Sequence, residues 1–455
     1  MTDTSSKGIK NRAIRSSVWV LAGQLGNQFI RLASNLIMTR LLVPEMFGLM
    51  SIVFVFLTGV SMLSDVGLRA NIIQSKRGDS PLFLSTAWSV QVVRGFLIFI
   101  VLLIVAISLS LMVSSGAISP DSTYASPELP FLIAVTASTA IISGFNSINL
   151  QLMNRNLQMG KVTLIELLSQ TIGIILMISI AIFWREVWVL VIAAIASALV
   201  KLILSHKLIT GVKTKFMFDR DSWHEIFNFG KWIFIGSILG FLLGNGDRIL
   251  LAGYLTPEKL GVYSIAFLLA GACRELFKKL IVTVFYPAIS EVTRSDPEHA
   301  KRIYYKVRLR VDAITLSVAG FLMAAGSDVV SLLYDNRYIE AGWMLELLSL
   351  SLVFVGFSMA GMFLMARGNS KSYSVMIFVS VLFLFTFVPL AYHHFGLYGA
   401  ILVIALNQVV DIPTTFYYLK KSNLLILRKE FIMVPLFFIS FFLTKTILDI
   451  TGLST

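Results

Sequence analysis

The sequence predicts an all-α polytopic membrane protein, built as two six-helix lobes in parallel repeat with one additional C-terminal helix. Composition, apolar run length and an internal duplication carry that prediction. Hydrophobic residues make up 56% of the chain and charged residues 14%, against about 25% charged in a soluble domain. The mean hydropathy is +0.82. Apolar runs recur at a length of about 20 residues, enough for a helix to cross a hydrocarbon core about 30 Å thick.

The duplication lies in the stretch KWIFIGSILGFLLGNGDRILLAGYLTPEKLGVYSIAF, residues 231–267. Sliding the chain by 213 residues aligns it with VWVLAGQLGNQFIRLASNLIMTRLLVPEMFGLMSIVF near the N-terminus. Trp19, Gly23, Leu42, Pro44, Glu45, Gly48, Ser51, Ile52 and Phe54 then fall on identical residues, nine over residues 17–54 without a gap. A chain this biased gives roughly three by chance. A repeat at about half the chain length is a duplication.

In chain order, spans are expected near 16–41, 46–68, 83–113, 130–152, 162–184 and 187–206. A second set follows near 229–254, 259–289, 311–333, 341–366, 372–392 and 397–419, with a last span at 431–449. Of the 38 Lys and Arg, 26 fall on the N-terminus and the even loops, four on the odd loops and eight within spans. That bias orients the N-terminus to the cytoplasm. Six spans precede the second copy, so both copies enter the membrane in the same direction, as in transporters that rock two parallel bundles about a shared site. The expected divisions are 1–215, 216–420 and 421–455, with the basic segment GVKTKFMFDRDSWHE (211–225) as a linker or surface helix between the lobes. A thirteenth span leaves the C-terminus outside.

Several classes of chemistry are excluded. The single Cys273 forbids internal disulfides and any four-cysteine metal site. No GxxxxGK[ST] loop offers a nucleotide a phosphate cradle, and no cofactor or metal is expected. The net charge of +13 is distributed as a topology anchor that meets lipid headgroups, not as a nucleic-acid surface. The polar, basic start MTDTSSKGIKNRAIR reads as no cleavable signal.

Polar residues inside lipid are expensive and default to functional hypotheses. In the first span Gln24, Gln28, Arg31 and Asn35 recur at helical spacing with Asn27 beside them, on one face. Arg31 lies ten residues from the outer end, about 15 Å down. A stripe of this kind can glue helices together, but glue needs no cation at that depth, so a substrate-facing aqueous cavity is expected. In the second copy Gly240 and Gly244 stand where Asn27 and Arg31 were, completing a Gly236, Gly240, Gly244 stripe. Such spacing points to close helix packing, with room for a ligand as the alternative. Asp247 and Arg248 follow, and adjacent residues do not face each other on a helix; Arg248 is taken to face the cavity. Arg94 lies about twelve residues into the third span, near mid-depth. RELFKK (274–279) interrupts the eighth span, and if the helix crosses whole, Arg274 and Lys278 share a face inside the membrane. Acidic and ion-coupling candidates are Asp247, Asp411 and Asn407, the last two on one face of the twelfth span. Asp65 reads as a surface ion pair with Arg69. A cavity lined by Arg selects an anion, since the guanidinium fork matches phosphate oxygens.

DRILLAGYLTPEKLGVYSIAF and its echo RLLVPEMFGLMSIVF, together with FGLYGAILVIALNQ (395–408) and VFYPAISEV (284–292), resemble the polysaccharide-transporter family. These are the Wzx-type oligosaccharide flippases of the multidrug/oligosaccharidyl-lipid/polysaccharide (MOP) exporter superfamily, and the nearest likeness is to the colanic-acid and O-antigen exporters. The resemblance covers nearly the whole chain. It implies two six-helix lobes in a V around a cationic cavity, in a bacterial inner membrane. It implies alternating access that carries an undecaprenyl-diphosphate-linked oligosaccharide from the inner to the outer leaflet, with other glycan-assembly membrane proteins as further partners. Two other functions compete. A multidrug/cation antiporter of the same superfamily would show buried carboxylates and aromatics in place of Arg. A membrane glycan polymerase or glycosyltransferase would need a large outward loop, and the longest outward loop is only about 16 residues at 114–129.

Overall fold

A computed structural model describes residues 2–65, 67–286, 289–290, 292, 297–367 and 370–452, without the side chains at 2–15, 17, 229–233, 235, 283–284, 297–298 and 370. Part of VFYPAISEV (287, 288 and 291) therefore lies outside the described residues. Among the described residues every regular element is helical, and nine helices are long and apolar enough to cross a membrane, or ten with one bent pair.

The chain forms two compact units. The first comprises Met1–Phe241 and Ala252–Glu258. It holds α1 (Thr2–Leu41), α2 (Pro44–Leu63), α3 (Leu68–Gln74), α4 (Pro81–Ser114), α5 (Leu129–Thr136), α6 (Ser138–Gly144), α7 (Asn149–Arg155), α8 (Met159–Phe183) and α9 (Trp188–Lys207). The second comprises Leu242–Leu251 and Lys259–Thr455. Helix α10 (Arg220–Ala252) begins in the first unit and enters the second. The second unit continues with α11 (Pro257–Leu280), α12 (Pro297–Leu333), α13 (Ala341–Ser349), α14 (Val355–Ala366), α15 (Ser370–Leu406), α16 (Asp411–Lys421), α17 (Leu427–Phe431) and α18 (Pro435–Thr451).

The Pro-Glu pair shared by the two copies has a local reason. Pro44 opens α2 and Pro257 opens α11, each with Glu in the first turn. Proline lacks the amide that a helix start cannot use, and the carboxylate sits against the positive helix end. In the first unit, Ser80 caps α4 by accepting from the Phe83 amide with Pro81 next to it. Gly67, at φ 63°, supplies the left-handed turn from α2 into α3.

The span expected at 130–152 is broken. Helix α6 ends at Gly144 and α7 starts at Asn149, with a bend of 63° between the flanking helices. Backbone freed inside a membrane must be satisfied by neighbours. Gln91 on α4 donates to the Gly144 carbonyl at 2.8 Å and the Asn146 carbonyl at 3.0 Å. From α9, Ser205 Oγ accepts the Ser147 amide at 3.1 Å, and His206 Nε2 lies 2.9 Å from the Phe145 carbonyl. Close approach of α4 to α6 depends on Gly95, where an added Cβ would meet the Ala140 carbonyl at 2.7 Å.

In the second unit RELFKK does not end its helix: α11 runs through it to Leu280 and continues as a π-helical turn, Ile281–Phe285. The spans expected at 372–392 and 397–419 form one apolar stretch, Lys371–Lys421, turned at Gly396 (φ 61°, ψ −153°). Only glycine takes that left-handed angle freely. The last helix, α18, packs on α12: Ser440 Oγ donates to the Ser317 carbonyl at 2.7 Å. Gly320 faces the α18 backbone so closely that an added Cβ would lie 2.9 Å from the Phe441 amide. The segment before α18 is held more firmly. Arg308, fully buried on α12, pairs with Glu430 at 2.5 Å and with Asp312 at 3.2 Å, while Tyr305 Oη donates to Glu430 at 2.9 Å.

Candidate functional site

The second unit places two guanidiniums on one aromatic ring. Arg248, on α10, stands 4.4 Å from the Phe267 ring centre, and Arg274, two turns along α11, stands 5.2 Å from it. Helical periodicity explains the α11 side: Tyr263, Phe267 and Arg274 recur at steps of four and seven, which puts them on one face. Tyr263 is fully buried and its hydroxyl donates to Asp247 Oδ2 at 2.6 Å. That bond occupies the carboxylate and fixes the turn of α10 that carries Arg248. Arg248 Nε lies 4.0 Å from the same oxygen, with its side chain 21% exposed, whereas that of Asp247 is only 6% exposed. Two like charges on one ring repel each other in a medium of low dielectric. The ring face attracts each cation, and an anion bound at this ring would be attracted by both.

The other sequence candidates fall as follows. Lys278 is exposed and 4.0 Å from Glu275. On α1, Gly23 and Gly26 pack against Thr163 and Leu167 of α8. At about 100° per residue the stripe of Gln24, Gln28, Arg31 and Asn35 then lies roughly a third of a turn from that packed face. Arg31 is exposed, Gln24, Asn27 and Asn35 are half-buried, and Gln28 Nε2 is buried without a hydrogen-bond partner. Asp411 accepts from Ser380 Oγ at 2.6 Å, and Asn407, buried, sits in the 3-10 turn Asn407–Val410 that leads to it.

Three expectations are revised. Arg94 is held at a helix end. It donates to Ser64 Oγ at 3.1 Å and to the Ser61 carbonyl, at the C-terminal end of α2, and lies 3.8 Å from Asp65. Helix α2 ends at Leu63, so Arg94 reaches the residues on either side of that end. A cation there caps the last carbonyls of a helix. Asp65 therefore pairs with Arg94, while Arg69 bonds Asn154 Oδ1 at 2.9 Å. The glycine stripe on α10 is not a packing seam. Among the described residues an added Cβ meets nothing within 4 Å at Gly236 or Gly244, and only Met62 at 3.9 Å at Gly240. The open alternative remains: these glycines clear space along α10.

Sequence reasoning missed Tyr263 and Phe267, which read as generic apolar positions, although their spacing from Arg274 was visible. It also placed Arg308 in a cytoplasmic loop. The i, i+4 pair Arg308 and Asp312 was the available sign of a helix continuing through it.

Fold and site together define a polytopic helical membrane protein with a cationic cluster in its second unit. The chain belongs to the polysaccharide biosynthesis protein family, whose model matches residues 37–343. It is 22% identical over 420 residues to the lipopolysaccharide biosynthesis protein WzxC of Escherichia coli (strain K12), covering 91% of this chain and 82% of that one. It is 19% identical to the succinoglycan biosynthesis transport protein ExoT of Rhizobium meliloti (strain 1021), over 77% of this chain and 68% of the relative. Among solved structures it is similar to the lipid II flippase MurJ in an inward closed conformation, with a TM-score of 0.65, 12% identity, and coverage of 97% of this chain and 100% of that one. An inward-facing multidrug resistance MATE transporter of the MOP superfamily matches with a TM-score of 0.65 and 15% identity, over 87% of this chain and 94% of its own. The fold is therefore that of the MOP-superfamily structures.

Proposed function

We propose that the chain is a flippase for a lipid-linked oligosaccharide, carrying the polyprenyl-diphosphate-linked glycan from the cytoplasmic to the outer leaflet of a bacterial inner membrane. The observation that supports this is the pair Arg248 and Arg274 on the Phe267 ring. A diphosphate is the anion that cannot cross lipid by itself, and two forked cations in low dielectric compensate its charge. Lys278 assists from the next turn of α11. The stripe of α1, with Arg31 exposed and Gln24, Asn27, Gln28 and Asn35 half-buried, offers hydrogen bonds to the sugars. Arg94, occupied at the end of α2, is assigned to structure. The family is named for polysaccharide biosynthesis and the two relatives for lipopolysaccharide biosynthesis and succinoglycan transport, which supports a glycan cargo and a transport role. The N-terminus is taken to be cytoplasmic from the charge bias. Asp247 and Asp411, both half-satisfied by hydroxyl donors, are the proposed coupling groups, Asn407 lending its carbonyl beside Asp411.

The test is export in cells lacking the native chain. Arg248→Ala and Arg274→Ala are each expected to abolish glycan export at near-normal protein level and to leave lipid-linked glycan in the inner leaflet. The Arg→Lys variants restore it only partly, because the fork is lost. Normal export by both Ala variants would remove the diphosphate site.

A further inference from the structure

The linker between α9 and α10 is an extended strap, and its position in the membrane can be read from what it lies on. The Met217 amide donates to Ser89 Oγ at 2.9 Å, the Asp219 amide donates to Thr86 Oγ1 at 3.1 Å, and the Phe216 ring stands 4.8 Å from that of Trp88. The strap therefore crosses α4 at Thr86–Ser89. Arg94, on the same helix, sits at the C-terminal end of α2. Trp88 is six residues nearer the start of α4, about 9 Å along the helix, which is the headgroup layer when the basic loops are taken as cytoplasmic.

At that level the strap turns Phe216, Met217 and Phe218 outward, with exposures of 65%, 42% and 67%. In bulk water such a row would be costly, whereas aromatic side chains favour the membrane–water interface. Lys213, Lys215 and Arg220 flank the row, all exposed, and none forms an ion pair among the described residues. The strap's own carboxylate does not neutralise them. Asp219 Oδ2 accepts from the Ser222 amide and hydroxyl at the start of α10 and lies 4.0 Å from Arg77. Exposed Asp221 leaves the patch with a positive surplus.

We propose that residues 213–220 form a docking surface for anionic phospholipid headgroups of the cytoplasmic leaflet. Phe216, Met217 and Phe218 enter the acyl boundary, and Lys213, Lys215 and Arg220 hold lipid phosphates. The aromatics alone would accept any lipid. The three unpaired cations make the surface selective, because each basic residue near an anionic surface adds its own attraction.

The test uses the full chain in nanodiscs of mixed phosphatidylcholine and phosphatidylglycerol. In a Cys273→Ser background, Met217→Cys carries an environment-sensitive fluorophore. A headgroup spin label on phosphatidylglycerol is expected to quench it several-fold more than the same label on phosphatidylcholine. The preference falls to near one in the Lys213→Gln/Lys215→Gln/Arg220→Gln variant, and also in the unsubstituted background at high salt, which needs no folding control. Lys420→Gln/Lys421→Gln leaves it unchanged. Equal quenching by both lipids, or a preference that survives both the triple variant and salt, would overturn the proposal. So would a probe shielded from both lipids, which would indicate that a protein covers the strap.

Discussion

Arginine in the spans of this chain does two kinds of work, and substitution separates them. Arg94 holds the frayed end of α2 through Ser64 and the Ser61 carbonyl, with Asp65 beside it. Removing a charged partner from partly buried acceptors costs about 1.5–3 kcal/mol. Arg94→Ala is therefore expected to lower the thermal unfolding temperature in detergent and the protein level in membranes, and Arg94→Lys to restore much of both. Arg248→Ala leaves only a ring face and a carboxylate already bound by Tyr263, so its unfolding temperature should stay near that of the parent. If Arg94→Ala instead unfolds like the parent and loses export alone, the capping assignment is wrong and Arg94 returns to the binding site. The sequence distinguished neither role, because depth was counted from the end of an apolar run. Helix α4 is 34 residues long, about 51 Å, far more than the hydrocarbon needs. The position of Arg94 along α4 therefore says little by itself, and its partners at the end of α2 carry the assignment.

Apolar length made each long helix legible, and Pro44, Pro257 and Ser80 made several starts legible. What length cannot show is a break whose backbone is satisfied from elsewhere. Gly144–Ser147 reads as part of an apolar run, and its carbonyls are met by Gln91 from a helix more than fifty residues away. The buried Arg308–Glu430 pair was illegible for the same reason, being made by segments distant in sequence. The strap before α10 is another such element, fixed by tertiary hydrogen bonds and by charge. Ser222 holds the Asp219 carboxyl below its usual range through side-chain and backbone bonds. Partial burial alone would raise Glu225, but bonds from Ser75 and Arg77 outweigh it and hold Glu225 low as well. Both are depressed, so the stability they lend is present above the ordinary carboxylate range and lost as the pH falls through the lowered values, below about pH 4. Hydrogen exchange at the Met217 and Asp219 amides, corrected for intrinsic rate, should show protection at pH 7 that is lost near pH 3. Equal protection at both would mean that the Ser89 and Thr86 bonds hold the strap without the acid cluster.

At the scale of the molecule, the chain connects its two units in a way that bears on alternating access. The Ala252–Glu258 turn joins two segments of the second unit, Leu242–Leu251 and Lys259 onward, yet it is itself part of the first. Two residues of the 114–129 loop hold it there. Ser122 Oγ donates to the Ala252 carbonyl at 2.9 Å, and the Thr123 amide and hydroxyl both donate to the Leu255 carbonyl, at 2.8 and 2.6 Å. The Ala252 carbonyl is an orphan acceptor at the end of α10, and the Leu255 carbonyl lies in the turn beyond it. The clasp lies wholly within the first unit; if transport proceeds by alternating access and that unit releases the turn on the way, the clasp opens and closes in each cycle. Its three hydrogen bonds are each worth about 0.5–1.5 kcal/mol net, small enough for cargo binding to reverse. Locking it should stop transport without unfolding anything. Cys273 is the only native thiol, so a Cys273→Ser background is free of competing thiols. In it, Thr123→Cys with Leu255→Cys, joined by oxidation or a short cleavable reagent, is expected to block glycan export and accumulate lipid-linked glycan, and reduction should restore export. Each single Cys variant serves as the control for loss of a native side chain. Efficient crosslinking with undiminished export would show that the clasp stays shut throughout the cycle, and the rocking proposal would have to place its moving parts elsewhere.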